Sequence, residues 1–111
     1  MYYIYSYYLK EKKMSDYQTW MLSDEFKKFT AGVLAETGCR YVDTYWSIMG
    51  FGKYTCEDWW EMPNMAAFDR MLDSKVMVKL INRSIEQDFT DNSRGYDARI
   101  VKTTKEVVIT E

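Results

Sequence analysis

Histidine is absent from this 111-residue sequence, and that gap excludes more chemistry than any other feature. It removes the commonest general base and the Ser–His and Cys–His nucleophile pairs. It also removes the usual zinc and non-haem iron ligands and the histidine axial ligand of haem. Chemistry in this chain must rest on carboxylates, tyrosines, lysines or a borrowed group, and the expectation is no metal and no resident cofactor. Cysteine is scarce as well: Cys39 and Cys56 stand alone, without CxxC spacing, and read as free thiols behaving as small hydrophobes. The single proline, Pro63, and the lack of any repeat or Pro/Ser-rich linker leave one domain over residues 1–111. No apolar run approaches the ~20 residues of a membrane helix. The aromatic first ten residues carry neither a basic stretch nor a small-residue cleavage site. A net charge of −2 gives no electrostatic footprint for nucleic acid or anionic lipid. The expectation is a cytoplasmic protein that binds neither membrane nor nucleic acid.

Apolar residues are plentiful: 47% of the chain is hydrophobic, enough to fill a core. Tyr2-Tyr3-Ile4-Tyr5-Ser6-Tyr7-Tyr8 reads as a first strand. Ser15 and Gln18 have capping-box spacing, and Leu22, Phe26, Phe29 and Val33 form one apolar stripe. A helix is therefore expected from about Ser15 to Thr37, stopped by Gly38. A second helix, capped by Asn64, should run from about Asn64 to Phe89 on a stripe of Phe68, Leu72, Met77 or Val78, Ile81, Ile85 and Phe89. Asp73-Ser74 breaks that rhythm and marks a kink. A last strand begins near Tyr96, with Arg99-Ile100-Val101 and Val107-Val108-Ile109 reading as one long strand or two short ones.

Between the helices the apolar period is two. Gly50-Phe51-Gly52 suits a three-residue hairpin loop, which pairs Met49 with Lys53, so that partner numbers sum to 102. That register puts Val42, Thr44, Trp46 and Ile48 beside Tyr54, Cys56, Asp58, Trp60 and Met62 on the face that packs on helices. The other face carries Tyr41, Asp43, Tyr45 and Ser47 beside Thr55, Glu57, Trp59 and Glu61. A slip of one residue would exchange a strand's faces. The glycines also echo the first signature of RNA-recognition motifs, but Lys53 sits where a second stacking ring belongs and the acids would repel phosphate.

The order strand, helix, two strands, helix, strand is that of an α+β, ferredoxin-like βαββαβ unit with an antiparallel sheet and two helices on one face. The other face, holding Trp59, Tyr41 and Tyr45 with Tyr3, Tyr5 and Tyr7 of the first strand, is too apolar to be left in water. Trp60-Glu61, Ala66-Ala67, Ser74 and Leu80 resemble the run of strand Trp, Ala-rich helix start, small residue and apolar residue of the dimeric α/β barrel superfamily. That superfamily includes the antibiotic-biosynthesis monooxygenase-like and darcynin-like groups. The resemblance implies a homodimer whose two sheets enclose a barrel. It also implies cofactor-independent oxygenation, cyclisation or isomerisation of a small aromatic or polyketide-like molecule. Asp69 stands near the place where such chains often carry a helix histidine, which counts against haem-degrading or His-dependent activity. Within the barrel the expected catalytic groups are Asp43, Glu57 and Tyr45, with Trp59, Tyr5 and Tyr41 contacting an apolar or aromatic ligand. A carboxylate enclosed among rings would have a raised pKa and serve as a base. The competing reading is a non-catalytic homodimer that binds a metabolite or only assembles, its acids standing in water or paired with lysines.

Overall fold

Backbone pairing settles which tyrosines share a face, and the computed structural model describes residues 1–49 and 54–110. The expected Gly50–Gly52 hairpin loop lies outside the described residues. Four strands form one antiparallel sheet: β1 (Tyr2–Tyr7), β2 (Arg40–Trp46), β3 (Cys56–Glu61) and β4 (Tyr96–Val101), in the order β2-β3-β1-β4. With helices between β1 and β2 and between β3 and β4, this is the ferredoxin-like arrangement.

Each expected long helix is two. The first divides into α1 (Met14–Met21) and α2 (Asp24–Thr37). The break falls at Leu22-Ser23, where Ser23 Oγ accepts a hydrogen bond from the Phe26 amide at 3.2 Å and caps α2. Leu22 is consequently exposed instead of joining the stripe. The Ser15–Gln18 capping box is not made. A 3-10 turn at Glu11–Lys13 runs straight into α1, and the Met14 amide donates to the Glu11 carbonyl, so this helix start already has partners. The second divides into α3 (Met65–Leu72) and α4 (Lys75–Gln87), at the Asp73-Ser74 kink that the sequence marks. Ser74 Oγ accepts from the Met77 amide at 3.0 Å. Asn64 caps α3, its Oδ1 accepting from the Ala67 amide at 2.9 Å. Gly38 stops α2 with φ 82°, a left-handed conformation that costs glycine little.

The core lies between the helices and one sheet face, and includes Tyr17, Trp20, Phe26, Val33, Trp60, Met62, Met71, Leu80 and Phe89. Along the Cys56–Trp59 half of β3 the register is the expected one: Asp43, Thr44, Tyr45 and Trp46 oppose Trp59, Asp58, Glu57 and Cys56. A bulge at Val42 then shifts pairing by one, so Tyr41 opposes Trp60. That shift corrects the expected place of Tyr41: it turns to the helix side and packs edge-on against Phe26 (5.0 Å) and Trp60 (5.4 Å). Tyr3, Tyr5 and Tyr7 are corrected likewise. They oppose Trp60, Asp58 and Cys56, which puts them on the helix side and leaves Tyr2, Ile4 and Ser6 on the open face. No turn joins β1 to β3, so nothing local sets their register. Beyond β4, a 3-10 turn at Thr104–Glu106 ends the sheet, and Val107-Val108-Ile109 form no strand.

Candidate functional site

The carboxylate on the helix side is Asp58, half-buried at a position where the strand period calls for an apolar side chain. β3 sends Cys56, Asp58, Trp60 and, just past its end, Met62 toward the helices, and Asp58 is the charged exception. The Tyr7 hydroxyl donates to its Oδ1 at 2.7 Å and the Thr44 hydroxyl at 2.6 Å, while Oδ2 accepts neither. Tyr41 and Thr44 share a hydroxyl–hydroxyl hydrogen bond of 2.5 Å, and Tyr7 shares another with Tyr17. Four elements build this centre. The strand pair β2–β3 places Thr44 opposite Asp58, β1 places Tyr7 diagonally across, and α1 brings Tyr17 over them from the helix layer.

Burial pushes the Asp58 carboxyl up to about 6, and hydrogen bonds from Thr44, Tyr7 and Tyr17 hold it from rising further. Burial also raises the phenols of Tyr7, Tyr17 and Tyr41, with the nearby carboxylate adding to the effect. The Cys56 thiol is pushed up to about 12 for the same two reasons. Of the titratable groups in this cluster, Asp58 alone changes charge near neutral pH. Such a carboxylate is more basic than an ordinary one and is held among proton donors, which suits it to accept a proton from a weak carbon or oxygen acid and return it.

The open face holds four of the six expected site residues: Asp43 opposes Trp59 and Tyr45 opposes Glu57. Trp59 lies between the rings of Tyr2 and Tyr45, each 5.6 Å away. Glu57 accepts from Ser6 Oγ at 3.2 Å and pairs with Arg99 at 3.4 Å, and Asp43 is exposed. The other two, Tyr5 and Tyr41, stand across the sheet beside Asp58. Tyr5 opposes Asp58 directly and stacks on Tyr7 at 5.4 Å. Sequence reasoning passed over Asp58, Tyr7, Tyr17 and Thr44. The available signal was a lone carboxylate in the otherwise apolar series of residues 56, 58, 60 and 62. Among the described residues no group of three or more Cys, Asp or Glu is placed to hold a metal ion. No helix among them is long and apolar enough to cross a membrane.

No protein-family model matches the chain, and no curated protein does. Solved structures do resemble it. Protein Atu4242 from Agrobacterium tumefaciens superposes with a TM-score of 0.60 at 14% identity, over 99% of this chain and 100% of that one. An uncharacterised NIPSNAP domain protein from Burkholderia xenovorans gives 0.59 at 10% identity, over 93% and 94%. A second structure of Atu4242, described as a NIPSNAP family protein with unknown function, gives 0.57 at 14% identity over 92% and 86%. At these identities the likeness is one of fold: this chain shares with NIPSNAP-family proteins a ferredoxin-like α+β fold built on a four-stranded antiparallel sheet.

Proposed function

We propose that the chain acts as a cytoplasmic homodimer, a dimeric α/β barrel closed by the open sheet faces, in which Asp58 moves a proton on a small aromatic or polyketide-like molecule. The reaction class is cofactor-independent isomerisation, cyclisation or oxygenation, each of which begins by removing a proton from an enolisable carbonyl compound or a phenol. The observation that carries this reading is the Asp58 carboxyl, lifted to about 6 among tyrosines and held at Oδ1 by two hydroxyls. Dimerisation is supported by the open face, where the Trp59 ring lies among acids and arginines of both signs, a surface able to complement its own copy.

The test uses 2-indanone, a planar ketone with acidic α-hydrogens, in D2O. Exchange of those hydrogens, followed by proton NMR, should be faster with the protein than with buffer, rise through about pH 6 and level off as Asp58 ionises. General bases contribute typically 10²–10⁴-fold, so Asp58→Asn should lose a hundredfold or more, while Glu57→Gln should exchange as the parent does. Equal rates for the parent and Asp58→Asn would remove the catalytic assignment. The non-catalytic reading draws on one feature, the burial of Tyr7 and Tyr17, which fill the space above Asp58. A parent chain exchanging no faster than buffer would favour it.

A further inference from the structure

The helix that follows the Asp73-Ser74 kink wastes half of its apolar stripe. Val78, Ile81 and Ile85 were expected in the core, yet they are 49%, 44% and 67% exposed. The cause is how α4 lies on α2. Val76 packs against Gly32 of α2, where an added Cβ would come within 2.9 Å, and Arg83 binds Glu25 of α2 at 2.8 Å. Positions 76 and 83 thus mark the flank facing α2, and by helical periodicity 78, 81 and 85 lie on the opposite flank. Because α2 lies against β2 and the sheet runs β2-β3-β1-β4, that opposite flank faces the β4 side.

The helix-side residues of β4 are uncovered too. Tyr96, Ala98 and Ile100 oppose Tyr7, Tyr5 and Tyr3 and so share their face, yet all three are exposed. Two uncovered apolar surfaces therefore lie toward the β4 edge, the far flank of α4 in the helix layer and the helix-side residues of the edge strand. None of the six residues is charged: the charges of β4, Asp97 and Arg99, point to the open face. The edge strand is continuous with the carboxylate. Tyr96 packs on Tyr5 at 5.7 Å, and Tyr5 stacks on Tyr7, whose hydroxyl donates to Asp58.

We infer that the corner between α4 and β4 is the binding surface for the apolar body of a small, uncharged, planar ligand, with its acidic group directed past Tyr5 toward Asp58. Charge-free walls select against ions, the exposed ring of Tyr96 favours a flat partner, and the continuity with Asp58 argues for a ligand over a second chain. The inference rests on the Asp58 reading for the direction of the ligand's polar end, and on the uncovered apolar residues for its body.

The experiment titrates the whole chain with 2-naphthol, a neutral planar phenol, and maps amide shifts by NMR. Shifts should cluster on residues 78–85 and 96–100. Ile85→Lys and Tyr96→Ser, both at exposed positions and checked for unchanged melting, should each weaken binding at least tenfold. Asp58→Asn should leave naphthol affinity within about threefold while abolishing indanone exchange. Binding in the corner by a parent that exchanges no faster than buffer would sink the proton-transfer reading and leave this one standing. Shifts confined to Tyr45, Glu57 and Trp59, or no weakening by Ile85→Lys, would overturn the corner and leave the proton-transfer reading untouched. Loss of the dimer in Ile85→Lys would overturn it as well, since a second copy would then be the occupant.

Discussion

Glu57 and Asp58 are adjacent in β3 and meet opposite fates. Glu57 points to the open face, where Arg99 and Ser6 offer it partners and water reaches it. Asp58 points to the helices, where burial lifts its carboxyl to about 6 and hydroxyls are its only hydrogen-bond partners among the described residues. Trp59 and Trp60 repeat the contrast, the first half-buried among open-face rings and the second buried in the core. One face sets ion pairs and the Trp59 ring around a buried Ile4 and Ser6, and the other carries most of the core together with a carboxylate. A charge placed in a core lowers stability, and groups retained at such a cost are where function is sought.

The tryptophans give the largest effect with which to break this contrast. Trp60→Ala should cost about 3–5 kcal/mol, as large-to-small changes in a packed core do. Trp59→Ala should cost only about 1–2 kcal/mol, from lost ring pairs and partial burial. Urea denaturation measures both. Equal losses would mean that the two faces are buried alike.

The carboxylates come next. The folded Asp58 binds its proton more tightly than the unfolded chain does, so between about pH 4 and pH 6 the native state carries the extra proton. Stability from this group is full below about pH 4 and is lost as pH rises through about 6. A shift from 3.8 to about 6 corresponds to on the order of 2–3 kcal/mol. Glu25, Glu36 and Asp88, held below the usual carboxylate range by hydrogen bonds and ion pairs, act in the opposite sense and at lower pH. Asp58→Asn, which keeps an acceptor for Tyr7 and Thr44, should remove the decline between pH 4 and 6 and melt higher than the parent at pH 7.5. Glu57→Gln should leave the decline in place. A parent whose stability is flat from pH 4 to 6 would show Asp58 to be hydrated like its neighbour.

The contrast also shows how far the sequence could be read. Element order, the Asn64 cap, the Gly38 stop, the kink at Asp73-Ser74 and the β2–β3 register are local: each follows from turn chemistry or from a period of two or 3.6 within a short stretch. The split at Leu22-Ser23 was equally local, and Ser23 was legible as a cap, but an uninterrupted apolar stripe concealed it. The faces of β1 were not legible. β1 pairs only with distant strands, and Tyr-Tyr-Ile-Tyr-Ser-Tyr has rings on both faces, so either register looks reasonable until Asp58 demands the hydroxyl of Tyr7. The Val42 bulge, which carries Tyr41 from one face to the other, left no mark that alternation alone could reveal. The sequence points to a carboxylate among tyrosines on the open face, and the structure places one, Asp58, among tyrosines on the helix side.

Assembly tests the open face directly. Sedimentation equilibrium should give twice the chain mass at micromolar concentration. Trp59→Glu should raise the dissociation constant at least tenfold, because a charge would be buried where two rings now flank an indole, whereas Tyr96→Ser should leave it unchanged. A clean monomer for the parent would remove the barrel, and an undisturbed dimer in Trp59→Glu would move the interface elsewhere.

The smallest effect is expected from the thiols. Cys39 and Cys56 are both free and both fully buried. Cys56 opposes Trp46 at one end of β3, while Cys39 precedes Arg40, which opposes Glu61 at the other. Five residues at about 3.3 Å each place some ~16 Å between those ends, and a disulfide needs Cα atoms within about 7 Å. Reductant should therefore leave the melting temperature unchanged. Burial and the Asp58 charge push the Cys56 thiol up to about 12, which leaves almost no thiolate at neutral pH, and the thiolate is the reactive form. Cys39 is held differently, its Sγ directed at the Ala67 carbonyl at 3.3 Å, and it too is closed to solvent. Ellman's reagent should find no fast-reacting thiol in the folded chain and both after denaturation. If one thiol reacts quickly in the native protein, and Asp58→Asn speeds it further by removing the charge that raises the Cys56 thiol, the helix side of the sheet opens to solvent beside its carboxylate.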